Sequence, residues 1–226
     1  MQQARYDHRM RYRYLLFDLD GTLADTLRDI AASVNAARAG IDLPPLADAA
    51  VRGCIGDGLG MLIERTIPQA HRTQATALFR THYAAHLLDA TRAYAGIPEV
   101  LAELRKAGVK IAVVTNKPQA FAGPILEGLG LASCGEVVLG GDSPHGKKPA
   151  PEPLRFALRA LGWDAEAEGL SAALVIGDGR NDILGARNAG LAVCAVGWGF
   201  GTAAELRALG PDFLIEKPAE LLELVR

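Results

Sequence analysis

Short, mostly apolar runs that alternate with helical patterns constrain the fold of this chain most strongly. Between these runs, apolar residues recur at the spacing of an amphipathic helix. Parallel strands that are buried on both faces have this composition, and a helix joins each strand to the next. The sequence therefore predicts an α/β fold with a doubly wound parallel sheet, whose strands lie near residues 13–17, 109–114, 137–139, 172–176, 191–196 and 213–215.

One long segment interrupts this alternation. After the first strand the sequence shows no strand pattern between residues 27 and 92. It predicts helices over 27–40, 46–66 and 69–89, with interruptions at Gly53, Gly56, Gly58 and Gly60. Thr26 is predicted to cap the first of these helices, with Asp29 in the position of a capping box. We therefore expect a Rossmann-like core domain and an inserted helical cap domain, which comprise residues 1–25 with 94–226, and residues 26–93, respectively.

Composition and charge exclude several classes of protein. Half of the 226 residues are hydrophobic, the net charge is −2, and no block of like charge suggests binding to nucleic acid or to a membrane surface. No apolar stretch has the length of a membrane span or the pattern of a signal peptide. The three scattered cysteines lack metal-ligand spacing. We expect a cytoplasmic monomer or homodimer whose chemistry does not need Cys54, Cys134 or Cys194.

The residues that come directly after three of the predicted strands are polar. In an open parallel sheet, ligands bind at the carboxyl ends of the strands. Two carboxylates that are separated by one residue repel each other, and a divalent cation or a shared proton relieves this repulsion. The polar residues are four carboxylates, a hydroxyl and an amide, namely Asp18, Asp20, Thr115, Asn116, Asp178 and Asp182.

Lys148, in a Gly- and Pro-rich loop over residues 140–153, adds a cation to this set. Several acidic oxygens without a cluster of His or Cys fit Mg²⁺, which prefers oxygen ligands. A lysine supplies the positive charge that a metal-bound anion such as phosphate requires. Each residue alone also fits a helix cap or a surface loop. Together they favour a site for a small phosphorylated molecule.

The order of these motifs resembles that of the haloacid dehalogenase-like hydrolases, in the phosphatase branch with a helical cap after the first motif. Four motifs carry the resemblance: Asp18-x-Asp20-Gly21-Thr22, Thr115, Lys148-Pro149-x-Pro151 and Gly177-Asp178-x-x-x-Asp182. Within the family, the chain looks most like the phosphoglycolate phosphatases. That likeness rests on Ile55-Gly56-Asp57-Gly58 and Gly197-Trp198-Gly199-Phe200-Gly201, although the subgroup commonly has Ser at position 179 and Tyr at position 198.

The resemblance implies a Mg²⁺-dependent phosphatase that forms an aspartyl-phosphate. Asp18 would be the nucleophile, and Asp20 would protonate the leaving oxygen and then activate water. Thr115 and Lys148 would complete the catalytic set. The implied metal ligands are Asp18, Asp20 through its backbone carbonyl, Asp178 and Asp182, and the implied phosphate-binding residues are Gly21, Thr22, Thr115, Asn116 and Lys148.

The resemblance also gives 2-phosphoglycolate as the first candidate substrate. A small carboxylated substrate needs amide or cationic donors from the cap. The candidates for this role are Gly56, Asp57, Gly58 and Arg65, although Arg65 could instead pair with a neighbouring acid. The alternatives are a sugar phosphate such as N-acetylmuramic acid 6-phosphate, a phosphomutase on the same core, and a non-enzymatic relative.

Overall fold

The computed structural model describes residues 10–226, except for the side chains of Cys134 and Ala165. Residues 1–9, which the sequence analysis assigns to the core domain, lie outside the described residues. Six parallel strands form the main sheet in the order β5-β4-β1-β6-β7-β8. They are β1 Tyr14–Phe17, β4 Lys110–Val114, β5 Val137–Leu139, β6 Ala173–Gly177, β7 Ala192–Val196 and β8 Phe213–Ile215.

Strand β1 lies in the middle of the sheet and shows why both faces must be covered. All four of its residues are buried. Leu15 and Phe17 belong to the hydrophobic cluster on one face, whereas Tyr14 and Leu16 belong to the cluster on the other. Because helices cover both faces, the predicted α/β fold with a doubly wound parallel sheet is confirmed.

Eleven α-helices connect or flank the strands in the described part of the chain. Four of them, together with a short 3₁₀ turn over Gln69–His71, lie between β2 and β3 and form the inserted segment. The helices are α1 Leu27–Ala39, α2 Asp48–Arg52, α3 Leu59–Thr66, α4 Arg72–Ala85, α5 Ile97–Lys106, α6 Gln119–Gly128, α7 Glu152–Ala160, α8 Ala165–Glu168, α9 Arg180–Ala189, α10 Ala203–Leu209 and α11 Leu221–Leu224. None of the described helices is long and apolar enough to cross a membrane.

The inserted segment follows the sequence prediction in one respect and differs from it in another. The helical stretch predicted over 46–66 is interrupted by its glycines as expected, because Gly56 and Gly58 adopt φ angles of 113° and 85° between α2 and α3, outside the helical region. The prediction that residues 27–92 contain no strand is wrong at its end. Ala24–Asp25 (β2) and Arg92–Ala93 (β3) pair as an antiparallel ribbon where the chain enters and leaves the insert.

The predicted capping box at the start of α1 is wrong as well. Thr26 makes no side-chain cap, and its hydroxyl instead donates to Asp20 Oδ1 at 2.7 Å. Asp29 does not reach back to the helix start, because its carboxylate accepts hydrogen bonds from the backbone amides of Ala90 and Thr91 at 2.8–3.1 Å. Tertiary partners have replaced the local contacts that the sequence pattern favoured.

Candidate active site

The carboxyl ends of β1, β4 and β6 meet at one edge of the sheet, below the inserted helices. A cleft of about 510 Å³, partly open to solvent, lies at this edge. Asp18, Asp20, Lys148, Asp178 and Asp182 line it from the core. The structure therefore brings together residues that are up to 164 positions apart in the sequence, as the strand-end pattern led us to expect.

Three carboxylates form a compact cluster in this cleft. One oxygen each of Asp18, Asp178 and Asp182 lies within 4.8 Å of the other two. Asp178 is held from both sides, since its Oδ1 accepts a hydrogen bond from the Thr22 hydroxyl at 3.1 Å and its Oδ2 accepts one from the Phe200 amide at 2.6 Å. These contacts fix the cluster before any ligand is present.

The buried ammonium group of Lys148 lies against this cluster. Its Nζ is 3.0 Å from Asp18 Oδ1 and 2.5 Å from Asp182 Oδ1. Burial alone lowers the pKa of a lysine, but the charges of Asp18 and Asp182 outweigh burial here, and the pKa of Lys148 lies above its usual range. Lys148 is therefore a permanent positive charge beside Asp18 at neutral pH.

The cluster carries more negative charge than Lys148 neutralises. Burial, followed by the nearby charges of Asp18 and Asp182, raises the pKa of Asp178 to about 8. Asp18 Oδ1 is buried and accepts no hydrogen bond of good geometry despite its contact with Lys148. Buried carboxylate oxygens that repel each other, with no nitrogen or sulfur ligand among them, fit a hard divalent cation such as Mg²⁺.

Gly21 is needed for this close packing. Its φ angle is 80°, and a Cβ atom at this position would overlap the carboxylate of Asp178. Its amide donates to the Ala24 carbonyl at 2.9 Å, and the amide of Thr22 donates to the Leu19 carbonyl at 3.2 Å. Neither amide is directed into the cleft.

Asp20 does not join the carboxylate cluster, because a second buried lysine holds its side chain. Lys117 Nζ lies 2.9 Å from both carboxylate oxygens of Asp20. Burial lowers the pKa of Lys117, but the charge of Asp20 outweighs burial and leaves this pKa above its usual range. No sequence motif indicates a role for Lys117, although it directly follows Thr115 and Asn116 at the same strand end.

Thr115 and Asn116 contribute to the same edge of the sheet in different ways. Thr115 is buried, lines the pocket beside Asp18 and Asp20, and accepts a hydrogen bond from the Lys117 amide at 3.3 Å. The side-chain amide of Asn116 donates to the backbone carbonyls of Gly56 and Lys148, both at 2.9 Å. Asn116 therefore connects the loop of Lys148 with the inserted segment.

Three backbone amides at this edge belong to Leu19, Asp20 and Asn116. None of them donates to a protein acceptor within residues 10–226. Since a buried backbone N–H almost always has a partner, amides without one beside Asp18 are suited to an anion that the protein binds.

The loop over residues 53–58 of the insert touches the core through Asp57. Its Oδ1 accepts a hydrogen bond from Asn181 Nδ2 at 2.6 Å, and its Oδ2 pairs with Arg65 Nη2 at 2.5 Å. Burial raises the pKa of Asp57, but the contacts with Asn181 and Arg65 outweigh burial and lower it. The guanidinium of Arg65 thus has an acidic partner in the cap, the alternative that the sequence left open. A close approach also occurs at Gly58, where a Cβ atom would lie 2.9 Å from the Asn116 carbonyl.

Arg52, at the end of α2, is a second residue near the site that the sequence does not indicate. Its guanidinium donates to the carbonyls of Gly199 at 2.7 Å and Phe200 at 2.9 Å, in the loop whose Phe200 amide holds Asp178. No local pattern identifies this residue, because its partners lie 147 and 148 positions away.

A second, narrower pocket of about 50 Å³ lies between the insert and the core beside Asp20. Its walls are largely apolar, and Lys117 is the one cationic side chain that lines it among the described residues. The apolar walls come mainly from the insert, with one aromatic ring from the core: Ile30, Ile55, Leu59, Leu62, Phe79, Tyr83 and Phe121.

Comparisons with known proteins agree with this geometry. The sequence profile of the haloacid dehalogenase-like hydrolases matches residues 15–196. A plasmid phosphoglycolate phosphatase of Cupriavidus necator is 39% identical over 208 residues, which cover 89% of this chain and 88% of that protein. An N-acetylmuramic acid 6-phosphate phosphatase of Pseudomonas aeruginosa is 37% identical over 224 residues, which cover 96% of each.

Among solved structures, that of a predicted phosphoglycolate phosphatase from Haemophilus somnus has a TM-score of 0.88 and 29% identity, and the match covers 96% of this chain and 99% of that chain. These matches extend over both the core and the insert. The resemblance predicted from the four motifs is confirmed, and the chain belongs to the haloacid dehalogenase-like hydrolase family.

Proposed function

We propose that this protein is a Mg²⁺-dependent phosphomonoester hydrolase in which Asp18 is the nucleophile. The observation that carries the proposal is the position of Asp18, between the Lys148 ammonium and the carboxylates of Asp178 and Asp182. Phosphoryl transfer depends mostly on positioning and on neutralising charge, and this arrangement provides both.

The reaction proceeds in two steps. A carboxylate oxygen of Asp18 attacks phosphorus, the bond to the leaving oxygen breaks, and Asp20 gives that oxygen a proton, so that an alcohol and an aspartyl-phosphate result. Asp20 then accepts a proton from the water molecule that attacks the aspartyl-phosphate. Inorganic phosphate leaves, and Asp18 and Asp20 return to their starting states.

The carboxylates of Asp18, Asp178 and Asp182, together with the backbone carbonyl of Asp20, would hold the metal ion. When bound, Mg²⁺ supplies positive charge to the transferred phosphoryl group. The donor set supports this proposal, because it offers only oxygen ligands and its own charge repulsion raises the pKa of Asp178.

Lys148, the Thr115 hydroxyl and the backbone amides of Leu19, Asp20 and Asn116 would bind the phosphoryl oxygens. The hydrogen bonds of Gly21 and Thr22 support a narrower role for these two residues than direct phosphate binding. Gly21 leaves space for Asp178, and the Thr22 hydroxyl orients it.

Residues 26–93 would form the cap domain that covers the site and selects the leaving group. Two relatives over nearly the whole chain are named for different substrates. We propose 2-phosphoglycolate as the first candidate, because most of the similar curated proteins carry that name. N-acetylmuramic acid 6-phosphate is the second, on the basis of the Pseudomonas aeruginosa relative. Four residues of the insert stay predicted contributors to that choice: Gly56, Asp57, Gly58 and Arg65. The cytoplasmic location and the monomeric or dimeric state of the protein also stay predictions.

The test compares the wild type with Asp18→Asn on a panel of phosphomonoesters, with and without Mg²⁺. The variant should lose more than a hundredfold in kcat while it retains its fold, since an amide is a poor nucleophile. Asp48→Asn, which changes an exposed carboxylate on α2, serves as the matched control. Full activity of Asp18→Asn, or of EDTA-treated protein, contradicts the proposal. Release of inorganic phosphate, rather than an isomeric phosphate ester, distinguishes a hydrolase from a mutase.

A further inference from the structure

We propose that Lys117 is a positioning residue that orients the carboxylate of Asp20 for proton transfer to and from the reacting oxygens. The inference rests on the function proposed above, in which Asp20 protonates the leaving group. It adds a residue that none of the four sequence motifs contains.

The contact between the two side chains is bidentate and buried. Lys117 Nζ lies 2.9 Å from Asp20 Oδ1 and 2.9 Å from Asp20 Oδ2. The side chain of Lys117 is 4% exposed and that of Asp20 is 12% exposed. When both oxygens of a carboxylate accept hydrogen bonds from one ammonium group, the carboxylate cannot rotate about its Cβ–Cγ bond without losing a charge-assisted hydrogen bond.

The two oxygens of Asp20 are not equivalent. Oδ1 accepts hydrogen bonds from both Lys117 and the Thr26 hydroxyl, the latter at 2.7 Å. Within residues 10–226, Oδ2 accepts one from Lys117 alone. Because a carboxylate oxygen has two lone-pair sites, Oδ2 keeps one free, and we infer that Oδ2 carries the transferred proton.

The surroundings of Lys117 restrict it to this one carboxylate. Asp20 is its one ion-pair partner among the described residues. The Tyr83 ring lies beside it, with Nζ 4.8 Å from the ring centroid, and apolar residues including Phe121 form most of the remaining pocket wall. A buried ammonium in such surroundings depends strongly on its carboxylate partner, so the pair has one favoured geometry.

If Lys117 only stabilised the fold, its loss should affect catalysis differently than if it positions Asp20. Substrates with different leaving groups distinguish these two roles. An alkyl leaving group needs a proton as its bond to phosphorus breaks, whereas p-nitrophenolate leaves without one. Proton transfer from a positioned side chain contributes about 10²–10⁴-fold to a rate. Damage to the fold or to phosphate binding would instead slow both kinds of substrate alike.

The experiment measures kcat/KM of wild type, Lys117→Met and Asp20→Asn with ethyl phosphate, 2-phosphoglycolate and p-nitrophenyl phosphate at saturating Mg²⁺. We expect Lys117→Met to lose at least about 30-fold with both alkyl substrates and less than about threefold with p-nitrophenyl phosphate. Lys106→Met, in which the changed lysine is exposed and pairs with Glu103, is the matched control and should match the wild type on all three.

Equal losses on all three substrates, or no loss on any, would overturn the proposal. A loss confined to 2-phosphoglycolate would also overturn it, because that pattern indicates that Lys117 binds the carboxylate of the substrate. If Lys117→Met does not fold, Lys117→Gln and the double variant Asp20→Asn/Lys117→Met replace it. The double variant leaves no unpaired buried charge, and it should show the same leaving-group pattern as Asp20→Asn alone, since Lys117 acts through Asp20.

The same data separate this inference from the function on which it rests. If Asp20→Asn itself shows no preference for the good leaving group, the role of Asp20 as a proton donor is wrong and the proposed mechanism fails. If Asp20→Asn shows that preference and Lys117→Met does not, only the role of Lys117 is wrong.

Discussion

Binding of Mg²⁺ to the metal-free protein should release a proton from Asp178, and the structure gives the size of the effect. The three carboxylates lie within 4.8 Å of one another. At an effective dielectric constant of about 20, two full charges at that distance repel by about 3.5 kcal/mol. Burial together with two such neighbours, offset by the hydrogen bonds from the Phe200 amide and the Thr22 hydroxyl, is consistent with the rise in the pKa of Asp178 from 3.8 to about 8, which corresponds to about 6 kcal/mol.

The number of released protons follows from this pKa. With a pKa of about 8, Asp178 is about nine-tenths protonated at pH 7 and about one-tenth protonated at pH 9. A divalent cation binds the ionised form, so its affinity should rise with pH over this window. Titration calorimetry in two buffers of different ionisation enthalpy should therefore give about 0.9 protons per Mg²⁺ at pH 7 and about 0.1 at pH 9.

Whereas Mg²⁺ affinity should rise with pH, the folding stability of the metal-free protein should fall as pH rises. Because the pKa of Asp178 is higher in the folded state than in the unfolded chain, the contribution of this group is fully present below about pH 4 and is lost as pH rises through about 8. The melting temperature of the metal-free wild type should therefore fall more between pH 6 and 8 than that of Asp178→Asn. Proton release below about 0.2 at pH 7, or a reduced release in the control Asp48→Asn, would refute this reasoning.

Three further predictions concern packing, stability and the cysteines. Gly21→Ala should lower Mg²⁺ affinity by at least about tenfold in calorimetry, since its methyl group would overlap the carboxylate of Asp178 in the proposed metal site, whereas Gly60→Ala, with open space around it, should not. Asp29→Ala should lower the free energy of unfolding in urea by about 2–4 kcal/mol, because two buried amides lose a charged acceptor. The double variant Cys54→Ala/Cys194→Ala should keep its kcat, and an alkylating reagent should leave Cys194 unmodified in the native protein, because burial raises the pKa of its thiol to about 12.

The sequence was sufficient to predict the sheet and the polar edge, for a physical reason. Strands β1, β4 and β6 are buried on both faces, so their apolar runs are continuous and end abruptly where the chain reaches the cleft. Asp18, Thr115 and Asp178 occupy these ends. Neighbouring parallel strands bring such residues together whatever the details of the loops, so linear order alone indicated the site.

The insert was predicted less completely. Its glycines indicated that the helical stretch over 46–66 is interrupted, but four glycines did not identify the position of the break, because glycine is also compatible with a continuous helix. The positive φ angles of Gly56 and Gly58 place that break between α2 and α3. The two-residue strands of the ribbon at Asp25 and Arg92 are too short to show an alternating pattern.

The contact between Lys117 and Asp20 shows why the surroundings of Asp20 could not be predicted from the sequence. A lysine before a proline is typical of an exposed loop, and no spacing rule connects it with a carboxylate 97 positions earlier. The surroundings of Asp20 come from three separate segments: the start of the insert supplies Thr26, helix α4 supplies Tyr83, and the end of β4 supplies Lys117. Because two of these belong to the insert and one to the core, Asp20 reaches this geometry only where the two are docked. In the proposed mechanism, the position of the proton donor would thus depend on the same contact by which the insert covers the site, so that water is excluded when Asp20 is placed for proton transfer.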